Sequence, residues 1–153
     1  MTERPQPSPR SAFRWFCSIT TRWNDNDVYG HVNNVIYYLW FDTAVNRFLG
    51  ENGLFEMNGT DPIGIVAETG CRYFESVSFP ENIGVGLVLA RLGRSSIEYR
   101  IGIFRDGGET TIAEGRFVHV YVDRDSRRPV AIPERFREVF ERELANAVPV
   151  SRT

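Results

Sequence analysis

Polar and apolar residues alternate most regularly over residues 95–105, where every second position is apolar. Ile97, Tyr99, Ile101 and Ile103 would then share one face of an extended segment. A period of two predicts a β-strand with one buried face. Four further stretches, rich in β-branched and aromatic residues, also predict strands. They are residues 13–23, 63–77, 83–92 and 110–122.

Two other stretches have the periodicity of a helix. Residues 35–49 form the first, and Gly50 is expected to end it. Its first half is apolar on every side, which predicts a helix buried on most sides. Either Asn33 or Asn34 is suited to cap its N-terminus. The predicted core-facing arc consists of Tyr38, Phe41, Val45, Phe48 and Leu49. A second, closing helix is predicted over 133–147.

The order of these elements is strand, helix, four strands and a short helix. A run of consecutive strands after one helix predicts an α+β protein, with an antiparallel sheet that carries the helix on one face. The apolar first half of that helix implies that the sheet curls around it. Since the other face of the sheet would stay bare, we expect the chain to form an oligomer.

Composition excludes several function classes. All 18 basic residues are Arg, so Schiff-base chemistry and phosphate-binding loops that end in Gly-Lys are excluded. A formal charge of −2 argues against a nucleic-acid partner, which needs a clustered basic excess. The longest apolar run, 35–41, is too short to cross a membrane. Because the first residues lack the apolar core of a signal peptide, we expect a cytoplasmic protein.

The chain has the length of one domain. We place that domain at 13–147, between a disordered N-terminal tail over 1–12 and a C-terminal tail over 148–153. Cys17 and Cys71 form no metal-binding pattern, so we expect no metal and two reduced thiols.

The candidate catalytic residues lie in the polar loop that leads into the first helix. The first backbone N–H groups of a helix are unpaired and lie at the positive end of its dipole, where they can stabilise an oxyanion. Asp27 lies seven residues before Asn34 and can face the same point from the loop. A base or nucleophile and an oxyanion donor are what acyl hydrolysis needs. Asp25 and Asp27 are also typical turn residues, so a purely structural loop remains an alternative.

The same loop resembles a motif of the hotdog-fold acyl-CoA thioesterases, of the 4-hydroxybenzoyl-CoA thioesterase and YbgC-like kind. The matching residues are Asp25, Asp27, Gly30, His31, Asn33, Asn34 and Tyr37, followed by Asp42 and Ala44. Later segments are also similar to that family, at 66–69, 79–80, 91–96 and 128–133.

The resemblance implies a fold and an activity. In the hotdog fold, an antiparallel sheet of about five strands wraps around a central buried helix, and a short C-terminal helix follows. The implied reaction is the hydrolysis of an acyl-CoA thioester to a free carboxylic acid and CoA, without a cofactor. The implied assembly is a homodimer or homotetramer with active sites at the subunit interface.

The resemblance also assigns catalytic roles. The second Asp of the family's loop is its catalytic carboxylate, so Asp27 is the expected general base or nucleophile. The backbone amides from Asn33 to Val35, with that of Asn34 between them, are expected to polarise the thioester carbonyl. His31 either relays protons or fixes the loop. Glu68 is a second candidate carboxylate, since in some hotdog enzymes a carboxylate of the partner subunit reaches the site.

Further residues are expected to contact the substrate. They are Tyr29, Asn33, Thr69, Arg91, Arg94, Ser95 and Arg128. Arginine pairs bidentately with phosphate, so some of these guanidinium groups would hold the phosphates of CoA. Asp42 lies about 12 Å beyond Asn34 along the helix axis, too far to act on a carbonyl at the N-terminus.

Two other functions compete with the thioesterase prediction. One is a non-catalytic hotdog module that binds acyl-CoA, which would have no need of a carboxylate aimed at the thioester. The other is a hotdog dehydratase, which is disfavoured because its usual arrangement of Asp and downstream His is not found in the sequence.

Overall fold

The computed structural model of the protein describes residues 4–146. Its strands and α-helices follow the predicted order. They are β1 (Trp15–Thr20), α1 (Ile36–Glu51), β2 (Ile63–Tyr73), β3 (Asn82–Leu92), β4 (Ser96–Arg105), β5 (Ala113–Val122) and α2 (Glu134–Leu144). Single 3-10 turns lie at Arg10–Ala12 and Trp23–Asp25.

The five strands form one antiparallel sheet in the order β1-β3-β4-β5-β2. A hairpin joins β4 to β5, and Gly107 supplies its positive φ of 71°. β2 returns along β5, so that Tyr73 pairs with Ala113 at one end and Ile63 pairs with Val122 at the other. The predicted α+β hotdog arrangement is confirmed, with α1 packed against the inner face of the sheet.

The inner face of the sheet comes closest to α1 at Gly115. A Cβ atom at that position would lie 2.4 Å from the Phe41 ring, so only glycine allows this approach. Around it, Val45, Phe48 and Leu49 of the predicted arc are also buried, whereas Tyr38 is half-buried. The expectation that the first half of α1 is buried on most sides is wrong at Val35 and Leu39, which are 58% and 52% exposed. The sheet covers only part of the helix surface, and these two residues lie on its open side.

The ends of several elements differ from the prediction. α1 continues through Gly50 to Glu51, because the positive φ that ends the helical path occurs at Gly53. Neither Asn33 nor Asn34 is the flanking residue of α1, a position held by Val35. β2 ends at Tyr73 and not at residue 77, since the following segment turns to contact the loop before α1.

The N-terminal segment also differs from the prediction of disorder at residues 8–12. The Ser8 backbone N–H donates to the Thr111 hydroxyl at 2.9 Å, and the Ser8 hydroxyl donates to Glu114. The Arg10 guanidinium donates to Gly108 O at 2.7 Å and lies over the Phe104 ring. These polar and cation–π contacts order a segment whose composition alone suggests a tail. The predicted C-terminal tail, 148–153, lies outside the described residues.

In the described part of the chain, no helix combines the length and apolar character needed to cross a membrane.

Candidate active site

Asp25 holds together the loop between β1 and α1. Its buried carboxylate accepts the Arg22 backbone N–H at 2.8 Å and pairs with the Arg22 guanidinium at 3.0 Å. Its backbone oxygen accepts the Asn33 N–H at 2.8 Å. Asp25 therefore ties the start of the loop to its end and has a structural role.

The loop is also fixed to the segment that follows β2. The Val32 N–H donates to Val77 O at 2.8 Å, and the Phe79 N–H donates to the Asn26 side-chain oxygen at 3.0 Å. Between these two bonds the loop turns at Gly30, whose φ of 83° favours glycine. Hydrogen bonds to a second segment make this loop a defined part of the fold.

Asp27 lies in this loop with one carboxylate oxygen engaged. Its Oδ1 accepts the Tyr29 N–H at 2.9 Å, and its own N–H donates to His31 O at 2.8 Å. No group within residues 4–146 donates a hydrogen bond to its Oδ2. A half-buried carboxylate with one free oxygen can take a proton from water or attack an electrophile.

The backbone amides at the start of α1 are not equivalent. The Asn33 N–H donates to Asp25 O, and the Val35 N–H donates to the Asn33 side-chain oxygen at 3.0 Å. The Asn34 N–H has no acceptor among the described residues. The expectation that the three amides act together is therefore wrong for Asn33 and Val35, since loop and cap contacts occupy them. Of these three amides, only the Asn34 N–H is available to a ligand.

A cavity of about 440 Å³ opens beside these groups. It lies between the loop, the start of α1 and the segment after β2. Its lining residues are Asp27, His31, Val32, Asn34, Tyr37, Tyr73, Phe74, Glu75 and Ser76. The residue with a free carboxylate oxygen and the residue with a free backbone N–H thus both line this cavity.

Two tyrosines form the aromatic wall of this cavity. Their rings meet edge to face, with 4.9 Å between the centroids of Tyr37 and Tyr73. The Tyr73 hydroxyl donates to Asn34 O at 2.9 Å. Desolvation raises the pKa of Tyr37 to about 12 and also raises the pKa of Tyr73, so both hydroxyls stay protonated at neutral pH.

The profile of the thioesterase-like superfamily matches residues 21–140. The match contains the whole loop, α1 and every strand from β2 onward. The chain belongs to the thioesterase-like superfamily. The thioesterase family indicated by the loop motif is thereby confirmed.

Individual relatives share both sequence and fold with this thioesterase-like chain. The PA5185 protein of Pseudomonas aeruginosa strain PAO1 is 47% identical, with a TM-score of 0.88 over 94% of this chain and 100% of that chain. A DHNA-CoA thioesterase from Staphylococcus aureus is 21% identical, with a TM-score of 0.73 over 83% of this chain and 88% of that one, which is a likeness of fold alone. The uncharacterized protein YsmA of Bacillus subtilis strain 168 is 25% identical over 132 residues, 86% of this chain and 88% of that one.

Three of the four residues predicted to be catalytic in this thioesterase-like chain lie at the cavity, namely Asp27, His31 and Asn34. The fourth, Val35, follows directly, with an occupied amide and an exposed side chain. The two predicted roles of His31 both have a structural counterpart. Its carbonyl oxygen fixes the Asp27 backbone, and its imidazole lines the cavity.

Glu68 does not lie at the cavity of its own subunit. A bulge between Val66 and Glu68 shifts the alternation of β2, so that Glu68 pairs with Val118 on the outer face of the sheet. There its carboxylate contacts the Arg116 guanidinium at 3.2 Å. The prediction concerned Glu68 of a partner subunit, so Glu68 stays a candidate carboxylate for the cavity of a second copy.

The predicted substrate-binding residues are also dispersed. Tyr29 is 83% exposed beside Asp27, the Asn33 side chain accepts the Val35 N–H, and Thr69 lies on the inner face of β2 outside the cavity. The others cluster at the opposite end of the sheet, where β3 and β5 end and β4 begins. These are Arg91, Arg94, Ser95 and Arg128. The length of β5, about 30 Å, separates them from the Asp27 cavity of the same subunit.

Four cavity residues, Tyr73, Phe74, Glu75 and Ser76, were not predicted at the site. Their composition predicts a strand that continues to residue 77, whereas β2 ends at Tyr73 and the chain then turns toward the loop. The polar pair Glu75-Ser76 inside an apolar run was the signal that could have located this turn.

Cysteine and metal chemistry have little support in this site. Both Cys17 and Cys71 are free, and burial raises the pKa of Cys71 to about 11 and also raises that of Cys17. Raised pKa values disfavour the thiolate that a nucleophilic cysteine requires. Across residues 4–146, no group of three or more His, Cys, Asp or Glu side chains is arranged to hold a metal ion.

Proposed function

We propose that this chain is an enzyme that hydrolyses acyl-CoA thioesters in the cavity beside Asp27. One observation carries the proposal: a carboxylate with a free oxygen and the unoccupied Asn34 N–H line the same cavity. Membership of the thioesterase-like superfamily supports the same reaction.

In this proposal the Asp27 carboxylate removes a proton, and the Asn34 N–H stabilises the negative charge that develops on the carbonyl oxygen. As general base, Asp27 takes a proton from water while the water oxygen bonds to the thioester carbon. The carbonyl oxygen becomes an oxyanion that accepts a hydrogen bond from the Asn34 N–H. The C–S bond then breaks, the carbonyl re-forms, and the CoA thiolate takes up the proton. As nucleophile, Asp27 would instead bond to the carbon and expel the thiolate, and water would hydrolyse the resulting anhydride.

The CoA phosphates are assigned to the arginines at the far end of the sheet. Within residues 4–146, the side chains of Arg91, Arg94, Arg127 and Arg128 make no hydrogen bond or ion pair. Unpaired, exposed guanidinium groups are suited to bidentate contacts with phosphate. Because they lie about 30 Å from Asp27 of the same subunit, they can serve the site only if a second copy contributes them.

A homodimer through β2 would meet that requirement. β2 is an edge strand of 11 residues, and its exposed side chains include Ile65, Val66 and Tyr73. Such an edge is able to pair with another strand. Antiparallel pairing of two copies around the middle of β2 brings the Ile63 end of one copy next to the Tyr73 end of the other. The arginines of one subunit would then approach the cavity of the other, as an interfacial active site requires.

The test is thiol release from a panel of aliphatic and aromatic acyl-CoA esters, followed with a thiol-reactive chromophore. We expect at least one ester to be hydrolysed with saturation kinetics at a rate that is proportional to protein concentration. If the protein binds acyl-CoA in calorimetry and releases no thiol from any ester, the chain is a binding module and the proposed function is wrong.

A further inference from the structure

Tyr73 at the end of β2 holds the start of α1 through a single polar contact. Its hydroxyl donates to Asn34 O at 2.9 Å. Its ring is held in place by the edge-to-face contact with Tyr37, which is buried in the core. The contact therefore connects an aromatic side chain at the end of β2 to the residue that carries the free amide.

The Asn34 N–H belongs to the peptide group between Asn33 and Asn34, and both neighbouring carbonyls are fixed. Asn33 O accepts the Ile36 N–H at 3.0 Å, whereas Asn34 O accepts the Tyr73 hydroxyl. Asn33 is further anchored by its own N–H to Asp25 O. Without the Tyr73 hydroxyl, the peptide group between Asn34 and Val35 would be held only by the Val35 N–H, which donates to the Asn33 side-chain oxygen.

We propose that Tyr73 is a positioning residue, which aims the Asn34 N–H at the thioester carbonyl by holding the Asn34 carbonyl oxygen. The inference rests on the proposed function. A small misalignment of a donor aimed at an oxyanion lowers the rate of reaction more than it lowers ground-state binding. The hydroxyl can act in this way throughout the working range of pH, because desolvation raises the pKa of Tyr73 and keeps it a donor.

The test compares Tyr73→Phe with Tyr121→Phe in the full chain. Tyr121 is a matched control, since its buried hydroxyl has no hydrogen-bond partner among the described residues and lies about 27 Å along β5 from the Tyr73 end. For Tyr73→Phe we expect kcat to fall about tenfold or more, with KM changed less than about twofold. For Tyr121→Phe we expect neither constant to change.

Two further measurements distinguish positioning from other roles. The ¹H–¹⁵N resonance of Asn34 should shift in Tyr73→Phe and stay in place in Tyr121→Phe. If KM rises while kcat is retained, Tyr73 binds substrate directly and the inference is wrong. Urea titration gives the fraction of Tyr73→Phe that is unfolded under assay conditions. If the loss of kcat equals that fraction, Tyr73 has a structural role only and the inference is wrong.

The inference can fail separately from the proposed function. If the wild-type protein is active and Tyr73→Phe keeps its kcat and its Asn34 resonance, only the role of Tyr73 is refuted. If the wild-type protein releases no thiol, the proposed function is refuted. The Asn34 resonance still decides whether the hydroxyl orients that amide.

Discussion

Asp27 keeps one carboxylate oxygen free and Asn34 keeps its backbone N–H free, while hydrogen bonds fix the loop around them. Asp27 Oδ1 and the Asp27 backbone hold the loop, as do the amides of Asn33 and Val35. Polar groups that form no internal bond at a rigid, partly buried position are able to bind a ligand at little cost in reorganisation. At the residue scale, the active site therefore depends on which atoms the loop leaves unpaired.

A buried residue outside the cavity gives a prediction about pH. His119 lies in the core beneath α2, its Nδ1 has no partner among the described residues, and burial lowers its pKa to about 4. The unfolded chain takes up this proton near pH 6.5 and the folded protein does not, so stability falls as pH drops from about 6.5 to 4. The full difference corresponds to about 3 kcal/mol, of which about 2 kcal/mol is lost at pH 5.

Urea denaturation of wild type and His119→Phe at pH 7.5 and pH 5 measures this effect. The variant, which cannot take up the proton, should lose about 2 kcal/mol less stability than wild type between the two pH values. An equal loss in both proteins would show that His119 does not cause the acid sensitivity.

At the scale of elements, α1 and the sheet fit together through a glycine. Gly115 of β5 lies directly under the Phe41 ring, and the rest of the helix is held to the same surface by Val45 and Phe48. Helix and sheet cannot separate at one point without disturbing these neighbouring contacts. A side chain at Gly115 would therefore strain the whole packing of α1.

Gly115→Ala should destabilise the protein by about 2–3 kcal/mol, because the added methyl group would overlap the Phe41 ring. Gly70→Ala is a matched control in the neighbouring strand, since a Cβ there meets no atom within 4 Å. Thermal or urea denaturation measures both variants. A Gly115→Ala protein as stable as Gly70→Ala would contradict the close packing described for α1.

The sequence predicts those elements whose position is determined by local periodicity. The alternation of β4 and the apolar periodicity of α1 locate both elements within a few residues, and the loop motif indicates Asp27. The face of Glu68 could not be predicted, because it depends on a bulge that two strands create together. The free amide of Asn34 was equally hidden, since it depends on where the Asn33 side chain points.

At the scale of the whole molecule, the two edges of the sheet differ. β1 is six residues long and alternates half-buried with exposed side chains, whereas β2 is 11 residues long and is exposed over five consecutive residues, 65–69. The open side of α1, with Val35 and Leu39, adds further exposed apolar surface on the helix side of the sheet. An exposed apolar surface next to a long strand edge is typical of an interface between subunits.

We therefore expect the wild-type protein to have a mass in light scattering of at least twice the 17.6 kDa of the chain. Val66→Glu, near the middle of β2, should give a monomer that has lost thioesterase activity, because burial of an unpaired charge opposes pairing. Met57→Glu is the control, since Met57 is exposed in the loop before β2 and is not part of the strand edge. A wild-type monomer with full activity would contradict an active site at the subunit interface.

The central claim is that Asp27 and the Asn34 amide carry out thioester hydrolysis, and the kcat of Asp27→Asn tests it most directly. Asn preserves the size of the side chain and its Oδ1 acceptor for the Tyr29 N–H, yet it is neither a base nor a carboxylate nucleophile. Asp42→Asn is the control, because Asp42 is exposed on α1 and does not line the cavity. We predict that kcat falls at least about 100-fold in Asp27→Asn and stays within about twofold of wild type in Asp42→Asn. Full activity in Asp27→Asn would contradict the assignment of Asp27 as the catalytic carboxylate.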